Sequence, residues 1–293
     1  MGEGMKVNLK KAVVGLFLLA SVVMLDGAVV TTSSTGAFSL QPRHIAHAFD
    51  EARFKAELTR ILHSERVIID ALQHFDLPPS HYDVYRDHMT KLWGNDAVVD
   101  TFVNEVTAIL PALNLENAAQ AREFGMHYSA AWFQEKAMKG LRRLESDKIR
   151  IHLRVAQGLF ENSPPELCRA AMFDDLTAPE SSRLEVAYLV TRPPSEVRSY
   201  LATLREAVLA EINDYPSVRT IGLSQRQILD QVFGQRLADA LDAHPNGAEL
   251  WLGLGDLNAV SDQALCDLTA ILMQIAADEP GAVGDWMALY ILH

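Results

Sequence analysis

From about residue 44 to the C-terminus, apolar residues return at three- and four-residue steps, and no sustained alternation of period two interrupts them. That spacing lines one face of a helix with apolar side chains, so the expected fold is all-α, a multi-helix bundle of the up-down or orthogonal kind. The stretch IAHAFDEARFKAELTRILHSERVIIDALQHF carries Ile45, Phe49, Ala52, Ala56 and Ile61, then Val67, Ile68, Ala71 and Phe75, at these steps. It is too long for one unbroken globular helix, and Ser64 ahead of Val67 suits a fresh helix start, so a break is expected near His63–Ser64.

Helix boundaries are marked by a few residue types. The pairs Pro78-Pro79, Pro164-Pro165 and Pro193-Pro194 each precede an amphipathic run, as expected when proline takes the turn and the first helical position. Asn95 is placed to cap DAVVDTFVNEVTAIL, which Pro111 stops. A long helix follows, from about Leu115 to Arg143. It has Leu115, Ala119, Met126, Phe133 and Ala137 on one side and Ala121, Phe124, Tyr128 and Trp132 on another, which suits a central place in a bundle. The closing run AVGDWMALYILH would be a liability exposed in water, so it is expected to dock as the last core helix.

Only the opening of the chain departs from this pattern. Residues 10–30 read KKAVVGLFLLASVVMLDGAVV, with fourteen uncharged residues from Ala12 to Leu25 behind Lys6, Lys10 and Lys11. As a helix, that uncharged run reaches roughly 21 Å, short of a hydrocarbon core of about 30 Å, and extending it to Val30 makes it long enough. Two readings stay open for residues 1–30. One is a secretory signal, with small residues at Thr35-Gly36-Ala37 for cleavage before Phe38; the other is a retained inner-membrane anchor through residues 12–30. Both put the rest of the chain across the membrane, because the cations precede the apolar run. Residues 31–43 read as a linker and 44–293 as the helical domain, with a subdivision near 216–223. The expected location is the periplasm, either soluble or tethered.

Charge narrows the partners. The chain has 26 Lys and Arg against 38 Asp and Glu, a net charge of −12. A surface of that sign repels phosphate backbones and anionic headgroups, so nucleic acid is not expected as a partner; another envelope protein is. Cys168 and Cys266 stand as either a disulfide, which an oxidising compartment permits, or two buried thiols. With so few cysteines and no N-x-S/T acceptor beyond the linker, a bacterial envelope is the expected setting.

Candidate chemistry is sparse. Six of the ten histidines fall between His44 and His88, and the pairs His44/His47 and His81/His88 could each share a helix face, so these four are weighed as metal ligands against ordinary helix histidines. Glu123 and His127, four apart on the long helix, could orient one another for acid–base work or form a polar stripe. Glu145 stands in the surroundings of a charged turn and is expected to pair with Arg142, Arg143 or Lys148 rather than act as a buried acid. No G-x-S-x-G, S-x-x-K, phosphate loop or H-E-x-x-H occurs, and no cofactor is expected. The expectation is a protein-binding accessory, chaperone-like or inhibitory factor. The alternative is an envelope enzyme or metal-binding protein using Glu123 and His127 or the histidine-rich segment 44–88.

Overall fold

The structure, a computed structural model, describes residues 51–292 except 74, 114–117 and 174. The apolar N-terminal segment, the linker, His44 and His47 lie outside the described residues. Among the described residues there are thirteen α-helices and no strand, and no helix is long and apolar enough to cross a membrane.

The helices are α1 (Glu51–Leu62), α2 (Glu65–Leu72), α3 (Pro79–Trp93), α4 (Asp96–Ile109), α5 (Ala118–Leu141), α6 (Ser146–Asn162), α7 (Pro165–Met172), α8 (Ala178–Leu189), α9 (Pro194–Ile212), α10 (Leu223–Ala243), α11 (Gly247–Gly255), α12 (Asp262–Asp278) and α13 (Gly281–Ile291). The expected break falls between α1 and α2, with Ser64 at the N-cap position of the second helix, although its hydroxyl makes no cap bond. Helices α3, α7 and α9 each begin on the second proline of a Pro-Pro pair, where a missing N–H costs nothing. Asn95 accepts a hydrogen bond from the Val98 N–H and caps α4, and Pro111 sits in the single 3₁₀ turn that ends it. Thr177 and Glu180 form a reciprocal capping box on α8.

Two long helix pairs organise the packing. The first joins α5 to α9, with α3 and α8 laid beside them; the second joins α6 to α12, with α7 and α13 beside them. Gly140 permits the close approach of α5 and α9, since a Cβ there would stand 1.8 Å from the carbonyl oxygen of Ala207. The disulfide Cys168–Cys266, with 5.3 Å between Cα atoms, ties α7 to α12, and Arg169 adds an ion pair to Asp262 and a hydrogen bond to the Val260 carbonyl. Helix α13 docks as the last core helix by burying Met287, Ala288, Leu289 and Ile291. Buried residues on both sides of segment 213–222 belong to the same hydrophobic core.

The ion pairs at the α5–α6 corner differ from those expected. Glu145 is exposed at the start of α6. Arg143 turns instead to Glu211 at 2.9 Å and Asp214 at 2.7 Å, and Lys148 reaches Glu206 on α9 at 3.0 Å. Sequence neighbours lose to partners on α9 because the α5–α9 pairing brings those carboxylates alongside, where long-range partners also knit the bundle.

Candidate functional site

The histidines that share a stripe on α3 both face inward. His81 is buried, with Nε2 2.8 Å from the Arg192 carbonyl and Nδ1 3.1 Å from the Ser80 hydroxyl. With Nε2 protonated, the ring donates to that carbonyl and accepts from the serine, and in this way α3 grips the turn between α8 and α9. His88 is buried one turn pair further on, meets Phe133 edge to face at 6.3 Å, and donates to the Leu201 carbonyl. Burial, aided by the charge of Arg205, pushes it down to about 3, so it stays neutral. On α5, Glu123 is exposed and His127 half-buried. At the start of α8 the carboxyl of Glu180 is lowered, first by hydrogen bonds from Thr177. Among the described residues no group of three His, Cys, Asp or Glu side chains could hold a metal ion.

A buried polar cluster lies outside the expected candidates. Tyr85 of α3, His152 of α6, Glu185 of α8 and Tyr200 of α9 are all completely buried. The rings of His152 and Tyr200 stack with 6.1 Å between centroids and 12° between planes. Burial, and then the neighbouring Glu185, raises both phenols well above the ordinary tyrosine range. Burial alone pushes His152 down to about 3. The cluster therefore consists of an imidazole without charge and two phenols that keep their protons at any physiological pH. Four helices contribute one residue each, so the cluster ties them in a single register.

One turn away on the same helices lies a cleft of about 360 Å³, between the middle of α6, the end of α8 and the start of α9. Its floor is aliphatic: Ile151 and Val155 flank His152, Leu189 follows Glu185 by four residues, and Val197 precedes Tyr200 by three. Two arginines, Arg154 and Arg192, stand on it with Glu196. The Arg192 guanidinium lies over the Tyr188 ring at 5.9 Å and binds Glu196 through Nη2 at 3.0 Å and Nε at 3.2 Å.

A third feature is an ordered strap between α9 and α10. The Arg219 N–H donates to the Arg142 carbonyl at 3.0 Å. The Arg219 guanidinium donates to the Leu144 carbonyl at 2.8 Å and to the Ser146 hydroxyl at 3.0 Å. Arg143, itself buried, donates to the Pro216 carbonyl at 3.0 Å. The backbone is thus fixed while apolar side chains point outward, with Tyr215 76% and Leu223 84% exposed.

Compared with known proteins, the chain matches no family model, no curated protein and no solved structure. Glu185, Arg192 and Arg219 carried no signal in the sequence that would have singled them out. Each sits in a pattern typical of a solvated helix face or a turn, and only the packing of distant segments gives it a role.

Proposed function

We propose that the chain is an exported protein of the bacterial envelope that binds another protein, an accessory, chaperone-like or inhibitory factor. The observation that carries this reading is the strap. Scattered exposed apolar residues need no explanation, but Tyr215 and Leu223 are held out from a backbone that Arg143 and Arg219 pin to the α5–α6 corner. A preorganised apolar surface loses little entropy when a partner covers it, and a tyrosine is the residue type that anchors such contacts. Asp214, 86% exposed beside Tyr215, and the net charge of −12 favour a partner with a basic rim.

Export is supported by the disulfide, because a cross-link between residues 98 apart persists where thiols are not kept reduced. It also fits the basic and apolar N-terminal segment of the sequence. The histidines of α3 and α6 are engaged inside the core, which favours a binding role over metal or acid–base chemistry at these positions.

The test is site-specific photocross-linking in intact cells, with a benzoylphenylalanine replacing Tyr215 or Leu223 and, as control, Arg66, whose side chain is 89% exposed on α2. The expected result is one adduct of defined mass from 215 and 223 that is missing from 66. Equal labelling from all three positions, or none from the strap, would overturn the reading.

A further inference from the structure

The cleft between α6, α8 and α9 has a built character that is independent of the strap. At about 360 Å³ it lies within the size range of small-molecule sites. Its accessible aliphatic surface comes from the half-buried Ile151 and Val155, with Leu189 and Val197 packed behind them in the core at 1% and 0% exposure. Its wall is Tyr188. The hydroxyl of that residue occupies the notch above Gly158, where a Cβ would stand 1.8 Å away, so the ring lies close against α6.

The charged groups at the cleft are unevenly matched. Arg192 is fixed twice, by its own carbonyl on the buried His81 and by its guanidinium on Tyr188 and Glu196. Arg154 has only a loose pair, 3.5 Å from Asp278, with both side chains more than half exposed; such pairs are weak and open readily. The nineteen-residue α9 begins here and α8 ends here, so the opposite partial charges of the two helix ends offset one another. Among the residues that line the cleft, two guanidiniums stand with one carboxylate, Glu196, while Asp278 reaches Arg154 only loosely from outside the lining.

We propose that this cleft binds a small organic carboxylate, its apolar body resting on the aliphatic floor and its head shared between Arg154 and Arg192. A planar carboxylate matches the fork of a guanidinium. A dianionic phosphate would suffer more repulsion from Glu196, and a neutral ligand would have no charge to set against the loosely paired Arg154. The ligand is either a free acid or the C-terminal carboxylate of a polypeptide ending in an apolar residue, since the two present the same chemistry.

The test is a titration of the full chain, labelled at Ile, Leu and Val methyl groups, followed by NMR. The probes are 4-phenylbutyrate, its neutral amide, and an acetylated tripeptide ending in leucine. Saturable shifts are expected at Ile151, Val155, Leu189 and Val197, with the amide binding at least tenfold more weakly. Arg154→Gln should weaken phenylbutyrate several-fold and the double variant with Arg192→Gln should abolish binding, while far-UV dichroism stays unchanged. Glu196→Gln should tighten binding several-fold by removing the competing carboxylate, a gain that a damaged fold would not produce. A tighter tripeptide assigns the source to a chain end, and a tighter phenylbutyrate to a free acid. Equal binding of acid and amide, shifts confined to other methyls, or no shift with any probe would overturn the proposal.

Discussion

His152 and Tyr200 lie nearly parallel and offset inside the bundle, 6.1 Å between ring centroids, and both are without solvent exposure. The pair joins α6 to α9 through two rings that could each carry charge and do not. Burial holds the imidazole at about 3 and moves the phenol upward.

That neutrality makes stability depend on pH in a definite direction. His152 and His88 both protonate at about 3 in the folded chain, against an ordinary value of 6.5 that the unfolded chain would show. Between those limits the unfolded state binds more protons, so stability is flat above about pH 7 and falls as the pH drops below about 6. The slope is about 1.4 kcal/mol per pH unit for each histidine. His152→Phe and His88→Leu should each remove about one proton from the slope of urea stability between pH 6 and 5, whatever they do to stability at pH 7.5. A slope equal to the parent's in both variants would show that the rings are hydrated.

Two glycines should respond in opposite directions. Gly140→Ala drives a methyl into the Ala207 carbonyl oxygen, a backbone atom that cannot turn aside, and should destabilise by about 3 kcal/mol as the α5–α9 pair is pushed apart. Gly255, the last residue of α11, has nothing within 4 Å of the corresponding position. Its replacement by alanine should stabilise by about 0.5 kcal/mol through the unfolded chain and helix propensity. Thermal denaturation of the two variants against the parent checks both signs.

Reduction of the disulfide should be costly without changing the helices. Cys168 and Cys266 are 98 residues apart, and on the chain-entropy model closing a loop of that length contributes about 4.7 kcal/mol. The double variant Cys168→Ala, Cys266→Ala should unfold at a clearly lower urea midpoint than the oxidised parent, with an unchanged far-UV spectrum in water. Coincident midpoints with and without reductant would mean that the bond does not form in solution.

Of the two arginines that pin the strap, one is buried. Arg143 is 8% exposed and binds Glu211, Asp214 and the Pro216 carbonyl. Arg143→Met leaves those acceptors without their donor and should speed limited proteolysis within residues 213–222 several-fold. Arg143→Lys, which keeps the charge but not the fork, should fall between. Cleavage elsewhere in the chain, or none at all, would show that the strap is held by other contacts.

The sequence by itself determined most of the secondary structure and the helical class. Period and punctuation are local properties. Prolines at 79, 165 and 194 and Asn95 fix helix starts with atoms that lie within one turn of one another, so they act the same way in any tertiary setting. The docking of α13 was legible for a similar reason, since an almost unbroken apolar run has only the core to go to.

Tertiary structure alone decided which polar residues face inward and which of them meet. His81 and His88 read as two members of one helix stripe, and whether that stripe looks at solvent or at α9 depends on segments more than a hundred residues away. Glu185, with the appearance of a surface glutamate in an amphipathic helix, became a core residue because α8 is covered by its neighbours. Arg143 chose Glu211 and Asp214 over Glu145 for the same reason. A side chain's nearest neighbour along the chain is set by covalent geometry, whereas its partner across a bundle is set by how ridges of distant helices fit together, and that fit is a property of the whole core.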